Sequence, residues 1–221
     1  MKTRYIAALS IVYAATIATV RAEELVSKVI HNYDQANLGF AFLGKPVIGS
    51  EANAYGFTTG VSSEIAKNLL VSLRGSSAWG SDDNVGISGS VWSVSPSIGL
   101  ILRFAENHVN IIPHVDYGYS EVTLSNQYDG TAHAIAGGAT LSLAKNDRFA
   151  LLVDYTFGSP IGEDVNTFDY TGTHNVSVGP TIRLTENFGM FIRGNIKWLA
   201  DDEIQVKRNP YGIMVGIEYH W

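Results

Sequence analysis

The last eleven residues of the chain alternate strictly between apolar side chains and small or polar ones. Every second position from Tyr211 to Trp221 is apolar, and aromatic residues stand at both ends of that face. A period of two residues predicts a β-strand. At about 3.3 Å per residue and a tilt near 40°, a strand of this length crosses a hydrocarbon layer of roughly 25 Å, and its aromatic ends fall at the two interfaces. The stretch therefore predicts a membrane-spanning strand.

Nine further segments between residues 38 and 198 alternate in the same way, so the sequence predicts ten strands, with eight as the alternative. Four connections share the order apolar, small, charged, Asn, and they recur at every second connection: 65–68, 104–107, 143–146 and 184–187. Asparagine suits the left-handed conformation that a tight hairpin needs. The other five connections are longer and acidic: 44–51, 80–84, 123–130, 159–171 and 200–210. This layout predicts an all-β, antiparallel, up-and-down transmembrane β-barrel with short turns and both termini at the periplasmic end and longer loops outside.

The beginning of the chain has the features of an exported protein. Lys2 and Arg4 precede an apolar stretch that ends at a small-residue cleavage site, so residues 1–22 are predicted to be a signal peptide. Residues 23–34 have no clean period and are predicted to be a periplasmic lead-in outside the barrel wall. Residues 35–221 are predicted to be the outer-membrane barrel.

The composition excludes several classes of protein. The chain has a formal net charge of −6, which argues against a nucleic-acid partner. It contains no cysteine, so it has neither a disulfide scaffold nor a thiol nucleophile. A secreted β-sandwich would also alternate, but its polar face would meet water and carry many charges. Here that face is mostly Gly, Ala, Ser and Thr, which favours the narrow interior of a barrel.

An alternating final strand that ends in an aromatic residue resembles the terminal signal of bacterial outer-membrane β-barrels, although Trp221 stands where that family most often has Phe. The mature chain resembles small barrels of the opacity and OmpA/OmpX-like surface-antigen type. The resemblance implies an outer-membrane location, Tyr219 and Trp221 as an assembly signal for the barrel assembly machinery, and contact with membrane lipid and lipopolysaccharide. It implies a monomer with roles in envelope integrity, adhesion or binding of an extracellular partner, and no enzymatic activity.

The alternation also predicts which charged side chains face the lumen. Charges in a narrow, partly dry interior must pair, so the inward set is predicted to form a polar network that plugs the barrel. An open lumen would instead make a narrow porin-like channel for small solutes. A third alternative is an envelope lipid- or peptide-modifying enzyme that uses His114, Asp116 and Asp154 as acid and base. The predicted network comprises Arg74, Arg103, His114, Asp116, Asp154, Arg183, Arg193, Lys197 and Glu218.

The outward set predicts aromatic girdles at both ends of the wall. His133 and His174 also have outward parity near the loop end, where they are predicted to be interfacial polar residues. The spacing of histidines and acidic residues predicts no metal site, and no cofactor is expected. Acidic loop residues predict a negative outer rim that could contact anionic lipopolysaccharide through divalent cations.

Overall fold

The computed structural model describes residues 33–44, 53–82, 87–105, 108–125, 128–146, 148–161, 172–199 and 211–221. The predicted signal peptide and the first ten residues of the predicted lead-in lie outside these ranges. So do most of the acidic loop side chains, and the predicted rim therefore stays a prediction. No helix in the described part of the chain is long and apolar enough to span a membrane.

Period-two segments fold as β-strands along nearly the whole described chain. They are β1 (Gln35–Gly44), β2 (Asn53–Ala66), β3 (Leu69–Asp82), β4 (Ile87–Leu100), β5 (Leu102–Phe104), β6 (Val109–Leu124), β7 (Tyr128–Asn146), β8 (Phe149–Ile161), β9 (Thr173–Arg183), β10 (Phe188–Leu199) and β11 (Tyr211–His220).

These strands form one closed antiparallel sheet. β5 continues the line of β4, so that β4 and β5 both pair with β6. The first and last strands pair over ten positions, from Gln35 opposite His220 to Gly44 opposite Tyr211, which closes the ring. The wall therefore has ten strands, and the predicted ten-strand up-and-down barrel is confirmed. The eight-strand alternative and the two-sheet sandwich are wrong for the described residues.

The break between β4 and β5 has a local cause. Gly99 faces His114 and Leu102 faces Ile111 in one continuous register, so the two positions between them, Leu100 and Ile101, lie opposite Pro113 and Ile112. Proline has no N–H to donate to a neighbouring strand. On its other side, Ile101 keeps its bond, because its N–H donates to the carbonyl oxygen of Asn68 at 2.8 Å.

The two faces of the wall differ in the way that the alternation predicts. Along β2, exposed and buried residues alternate over ten successive positions. The exposed positions of the wall are mainly aliphatic and aromatic, whereas the inward positions are small, hydroxylated or charged. Two buried apolar clusters also lie inside, one of Tyr33, Leu70, Ile101 and Ile112 and the other of Ala41, Phe191 and Met214.

The connections agree with the prediction only in part. Asn68 has a φ of 66°, as a left-handed turn residue should, but Asn146 and Asn187 do not have positive φ. Asn146 belongs to β7, opposite Phe149 and next to a register shift, so it needs no left-handed conformation. Asn187 donates Nδ2 to the carbonyl oxygen of His220 at 2.8 Å and thereby ties the turn to the closing strand. The predicted role of these two asparagines is therefore wrong.

Two of the predicted long loops are largely strand. β6 and β7 remain paired up to Leu124 opposite Tyr128, within the segment predicted as loop 123–130. β3 likewise continues to Asp82, within the predicted loop 80–84. Backbone hydrogen bonds between the strands extend these hairpins beyond the apolar band of the wall. The sequence there does not alternate between apolar and polar residues, so its pattern does not predict a strand.

Candidate functional site: the polar lumen

The register brings four of the predicted lumen residues into one chain of contacts. β6 carries His114 and Asp116 two positions apart, so both side chains point inward. β3 contributes Arg74 from the side of β4, and β8 contributes Asp154 from the side of β7. In the ladder, Asp116 faces Ser97 and Asp154 faces Thr140. Small residues such as Ser97, Ala136 and Gly138 lie between these side chains on β4 and β7 and leave room for them.

The contacts run across the lumen without a break. Arg74 donates Nη2 to Oδ1 of Asp116 at 2.7 Å. Nδ1 of His114 lies 3.2 Å from Oδ2 of Asp116, and its Nε2 lies 3.1 Å from Oδ1 of Asp154. Thr140 donates its hydroxyl to the same Asp154 oxygen at 2.7 Å. When His114 is protonated, two cations face two carboxylates, and the group as a whole is neutral. We name these five residues the ionic chain.

The ionic chain is enclosed by protein. The side chain of His114 is 3% exposed and that of Asp116 is 1% exposed. Charges so far from water are stable only when they are paired and hydrogen-bonded, as these are. Neither ring nitrogen of His114 is left to face a reactant, so the arrangement is suited to holding the wall together from inside.

The buried charge of Arg193, on the other side of the lumen, is stabilised in a different way. It donates Nη1 to the carbonyl oxygens of Pro180 at 2.6 Å and Ile192 at 3.0 Å, and Nη2 to the hydroxyl of Thr181 at 2.6 Å. The β9–β10 ladder is interrupted opposite Pro180, which has no N–H. Gly179 makes the close approach possible, because a Cβ there would lie 1.9 Å from the Ile192 carbonyl oxygen.

A third group closes the short-turn end. Arg103 donates Nη2 to Oε2 of Glu64 at 2.6 Å and Nη1 to Oδ1 of Asn68. Its guanidinium carbon lies 5.8 Å from the ring centre of Tyr33, which is fully buried. The carbonyl oxygen of Tyr33 accepts the Ser62 hydroxyl at 2.8 Å. The end of the predicted lead-in thus enters the barrel, where an aperiodic sequence gave no reason to expect it.

The remaining predicted lumen residues are Glu218, Lys197 and Arg183. Glu218 is buried with its Oε1 3.1 Å from Nε2 of His220, and Gly189 leaves space for its carboxylate. Lys197 is buried near the loop end of β10, and Arg183 is half-buried at the turn end of β9. The sequence predicted that all nine residues form one network that plugs the barrel, and this stays a prediction. Glu64 and Thr140 were not predicted to belong to it, although inward parity on β7 would have identified Thr140.

Some buried polar atoms in the lumen have no hydrogen-bond partner among the described residues. They include both side-chain amide atoms of Asn175, the hydroxyls of Thr156 and Thr173, and Oδ2 of Asp154. Asn175 faces Thr156 directly in the β8–β9 ladder. Buried polar groups of this kind are normally satisfied by ordered water. The loop-end half of the lumen therefore has polar atoms at Asn175, Thr156 and Thr173 that ordered water can satisfy. No cluster of three or more potential metal ligands occurs among the described side chains.

Comparison with known proteins gives structural matches only. No protein-family model matches the chain, and no curated protein matches its sequence. The NanC porin matches with a TM-score of 0.52 and 10% identity over 84% of this chain and 100% of that chain. The translocator domain of the autotransporter NalP from Neisseria meningitidis matches with 0.52 and 10% over 94% and 92%. The outer membrane protease OmpT from Escherichia coli matches with 0.51 and 9% over 85% and 94%. At such identities the similarity defines the fold, and the chain has the fold of outer-membrane β-barrels.

Proposed function

We propose that this protein is a non-enzymatic integral outer-membrane β-barrel of the opacity and OmpA/OmpX-like surface-antigen type. Its lumen is filled by its own side chains, and its longer loops face the exterior, where they act in envelope integrity, adhesion or binding of a partner. Its surroundings are membrane lipid and lipopolysaccharide, and it works as a monomer after insertion by the barrel assembly machinery.

The observation that carries this proposal is the inversion of the surface. Ile98 is 51% exposed and Ile213 is 52% exposed on the outside of the wall, whereas Arg193 and Lys197 are each 2% exposed inside it. In water such a wall would leave an apolar belt unprotected, whereas in a bilayer lipid covers it. A closed sheet also has no free edge within the hydrocarbon layer.

The filled lumen supports a role that does not depend on passage or on catalysis. Arg193 and the apolar cluster around Tyr33 occupy the interior of the narrow cylinder, and ten strands enclose little space once side chains fill it. The His114 and Asp154 pair, which the enzyme hypothesis needs, is largely buried inside the wall, and its side chains are 3% and 10% exposed. We therefore assign the function of the protein to its longer, exterior loops.

Cysteine substitutions test the membrane location, because the natural chain has none. In protein refolded into vesicles, we expect Ile98→Cys to react with a lipid-soluble maleimide but not with a charged one. Ser142→Cys, which points into the filled lumen, should react with neither. Reaction of Ile98→Cys with the charged reagent in the folded state would overturn the membrane proposal.

The proposed topology has its own test on intact cells. An epitope tag inserted between Val165 and Asn166, in the connection between β8 and β9, should bind antibody without permeabilisation. A tag inserted between Lys67 and Asn68, in a short turn, should bind antibody only after permeabilisation. The reverse pattern would show that the loops face the periplasm.

A narrow channel is the second candidate, and one observation favours it. The unsatisfied atoms of Asn175, Thr156 and Thr173 line the loop-end half of the lumen and need water, and one structural relative is a porin by name. Planar-bilayer recordings decide between the two. The proposed sealed barrel gives no current steps, whereas a channel gives steps whose size changes on Arg74→Ala or Arg193→Ala.

A further inference from the structure

Two tyrosine–histidine pairs lie on the outer surface of the wall near its loop end. Tyr117 on β6 places its hydroxyl 2.5 Å from Nδ1 of His133 on β7. Tyr155 on β8 places its hydroxyl 2.9 Å from Nδ1 of His174 on β9. We call these the two Tyr–His pairs. Both are on the face that bears the apolar belt, and none of their members points into the lumen.

The two pairs are built in the same way. Tyr119 faces His133 directly in the ladder, and Tyr117 lies two residues before it on the same strand. Phe157 likewise faces His174, and Tyr155 lies two residues before it. In each case the histidine meets one aromatic ring directly across the strands and a tyrosine hydroxyl on the diagonal. The same arrangement on two separate hairpins is a second observation beyond the presence of histidine.

Neighbouring rings hold each imidazole in place. The ring centre of His133 lies 5.3 Å from that of Tyr119. The ring of His174 stacks on that of Trp198 at 5.2 Å and 14°, with the ring of Phe157 at 5.0 Å on another side. Such packing fixes the direction in which the remaining ring nitrogen points, and this reduces the entropy that a ligand must overcome.

The second ring nitrogen of each histidine is the atom that is available to a ligand. Nε2 of His133 and Nε2 of His174 make no hydrogen bond to any residue that the structure describes. A tyrosine hydroxyl that donates to Nδ1 leaves the ring proton on Nε2, and a protonated ring also carries hydrogen there. In both of these states, each pair presents an N–H donor at Nε2, at the edge of an aromatic surface.

An N–H donor at this level of a membrane wall meets lipid headgroups. Aromatic residues that include Trp92, Tyr119, Phe157 and Trp198 mark the interfacial girdle at this end. Phosphate oxygens are the strongest hydrogen-bond acceptors in that layer. The opposite girdle, around Phe188, Tyr219 and Trp221, has no such pair among the described residues, and His108 at that end places Nδ1 against the carbonyl oxygen of Ala144.

We propose that the two Tyr–His pairs each bind the phosphate of a lipid headgroup in the leaflet at the loop end. The proposal rests on the membrane location proposed above. Because β8 separates the two histidines, they lie about 10 Å apart across the strands, and their partners on β8, Ile161 and Phe157, are about 13 Å apart along it. The histidines are therefore too far apart to share one ion. Each pair takes its own phosphate through Nε2–H, while the flanking aromatic rings contact the upper part of the acyl chains.

The direct test observes the imidazoles while lipid is added. In protein folded in dodecyl maltoside, which has no phosphate, we expect phosphatidic acid to shift the ring ¹⁵N signals of His133 and His174 saturably. Diacylglycerol with the same acyl chains should leave them unchanged, as should inorganic phosphate. Equal shifts with diacylglycerol, or no saturable shift with phosphatidic acid, would overturn the proposal. Shifts with inorganic phosphate alone would replace the lipid site by a free-anion site and overturn it too.

Variants give the matched control. His133→Phe and His174→Phe keep an aromatic ring and lose the donor. Each should therefore weaken phosphatidic acid binding at its own pair by about tenfold, measured from the ring signals of Tyr117 or Tyr155, and leave the imidazole shift of the other pair intact. Tyr219→Phe, in the opposite girdle, should change neither. Loss of binding in Tyr219→Phe, or full binding in both histidine variants, would contradict the assignment. Because this titration is done in detergent, it can fail while the Ile98→Cys labelling succeeds, and the two proposals can thus be separated.

Discussion

The two sides of the lumen bury their charges by different means. On the side of β3, β6 and β8, Arg74 and His114 pair with the carboxylates of Asp116 and Asp154. On the side of β9 and β10, Arg193 binds backbone carbonyl oxygens and one hydroxyl. The first solution needs partner charges from separate strands. The second uses a gap in the ladder and a glycine beside it, which let the guanidinium reach two backbone carbonyl oxygens.

The largest effect should come from breaking the ionic chain at its centre. Asp116→Ala leaves Arg74 and His114 buried without their shared carboxylate, and we expect a loss of about 3–5 kcal/mol in the free energy of unfolding. Urea titration of protein folded in phosphatidylcholine vesicles, followed by tryptophan fluorescence, measures it.

Its control removes both charges of the closest pair. The double variant Arg74→Met, Asp116→Leu leaves fewer unpaired charges than Asp116→Ala alone. Its loss in the free energy of unfolding should therefore be clearly smaller. If the double variant were as unstable as the single one, the pairing would not be the reason for the loss.

Arg193 tests the other side and should have a smaller effect. Arg193→Met removes charged donors from two buried carbonyl oxygens, and we expect a loss of about 2–3 kcal/mol by the same urea titration. Arg193→Lys keeps the charge but lacks the planar fork, so it should recover only part of the loss.

The matched control here is Lys67→Met, an exposed cation in a short turn, which should change the free energy of unfolding by less than about 0.5 kcal/mol. Full stability of Arg193→Met would show that the carbonyl contacts contribute nothing.

The smallest effect on the free energy of unfolding should come from an uncharged pair on the side of the lumen that holds the ionic chain. The hydroxyls of Ser72 and Ser97 lie 2.7 Å apart. We expect Ser72→Ala to cost about 1 kcal/mol, and Ser72→Ala with Ser97→Ala to cost little more, since the double change leaves no unpaired hydroxyl. A double loss equal to twice the single loss would mean that the two hydroxyls act independently.

The alternation of side chains made most of the fold predictable, whereas the displacement of each strand along its neighbour could not be predicted. A period of two identifies which side chains face inward on each strand, and thus the inward positions of His114, Asp116 and Asp154. It does not say how far one strand is displaced along the next, so it could not tell that Arg74 meets Asp116 across β4. The contacts of Arg193 with the carbonyl oxygens of Pro180 and Ile192 could not be predicted, because every residue has a carbonyl group and no residue type marks such an acceptor. The burial of Tyr33 could not be predicted, because residues 23–34 have no period of two to indicate which side chains face inward.

Because β1 pairs with β11, the chain can be circularly permuted without changing which strands are neighbours. These strands meet over ten positions, and the N–H of Trp221 lies 3.3 Å from the carbonyl oxygen of Asp34. The two ends of the described chain are therefore neighbours on one rim, and the ring of strands has no preferred starting point. A covalent link across that rim, with new ends opened in the connection between β8 and β9, would reorder the gene while leaving every strand beside its present neighbours.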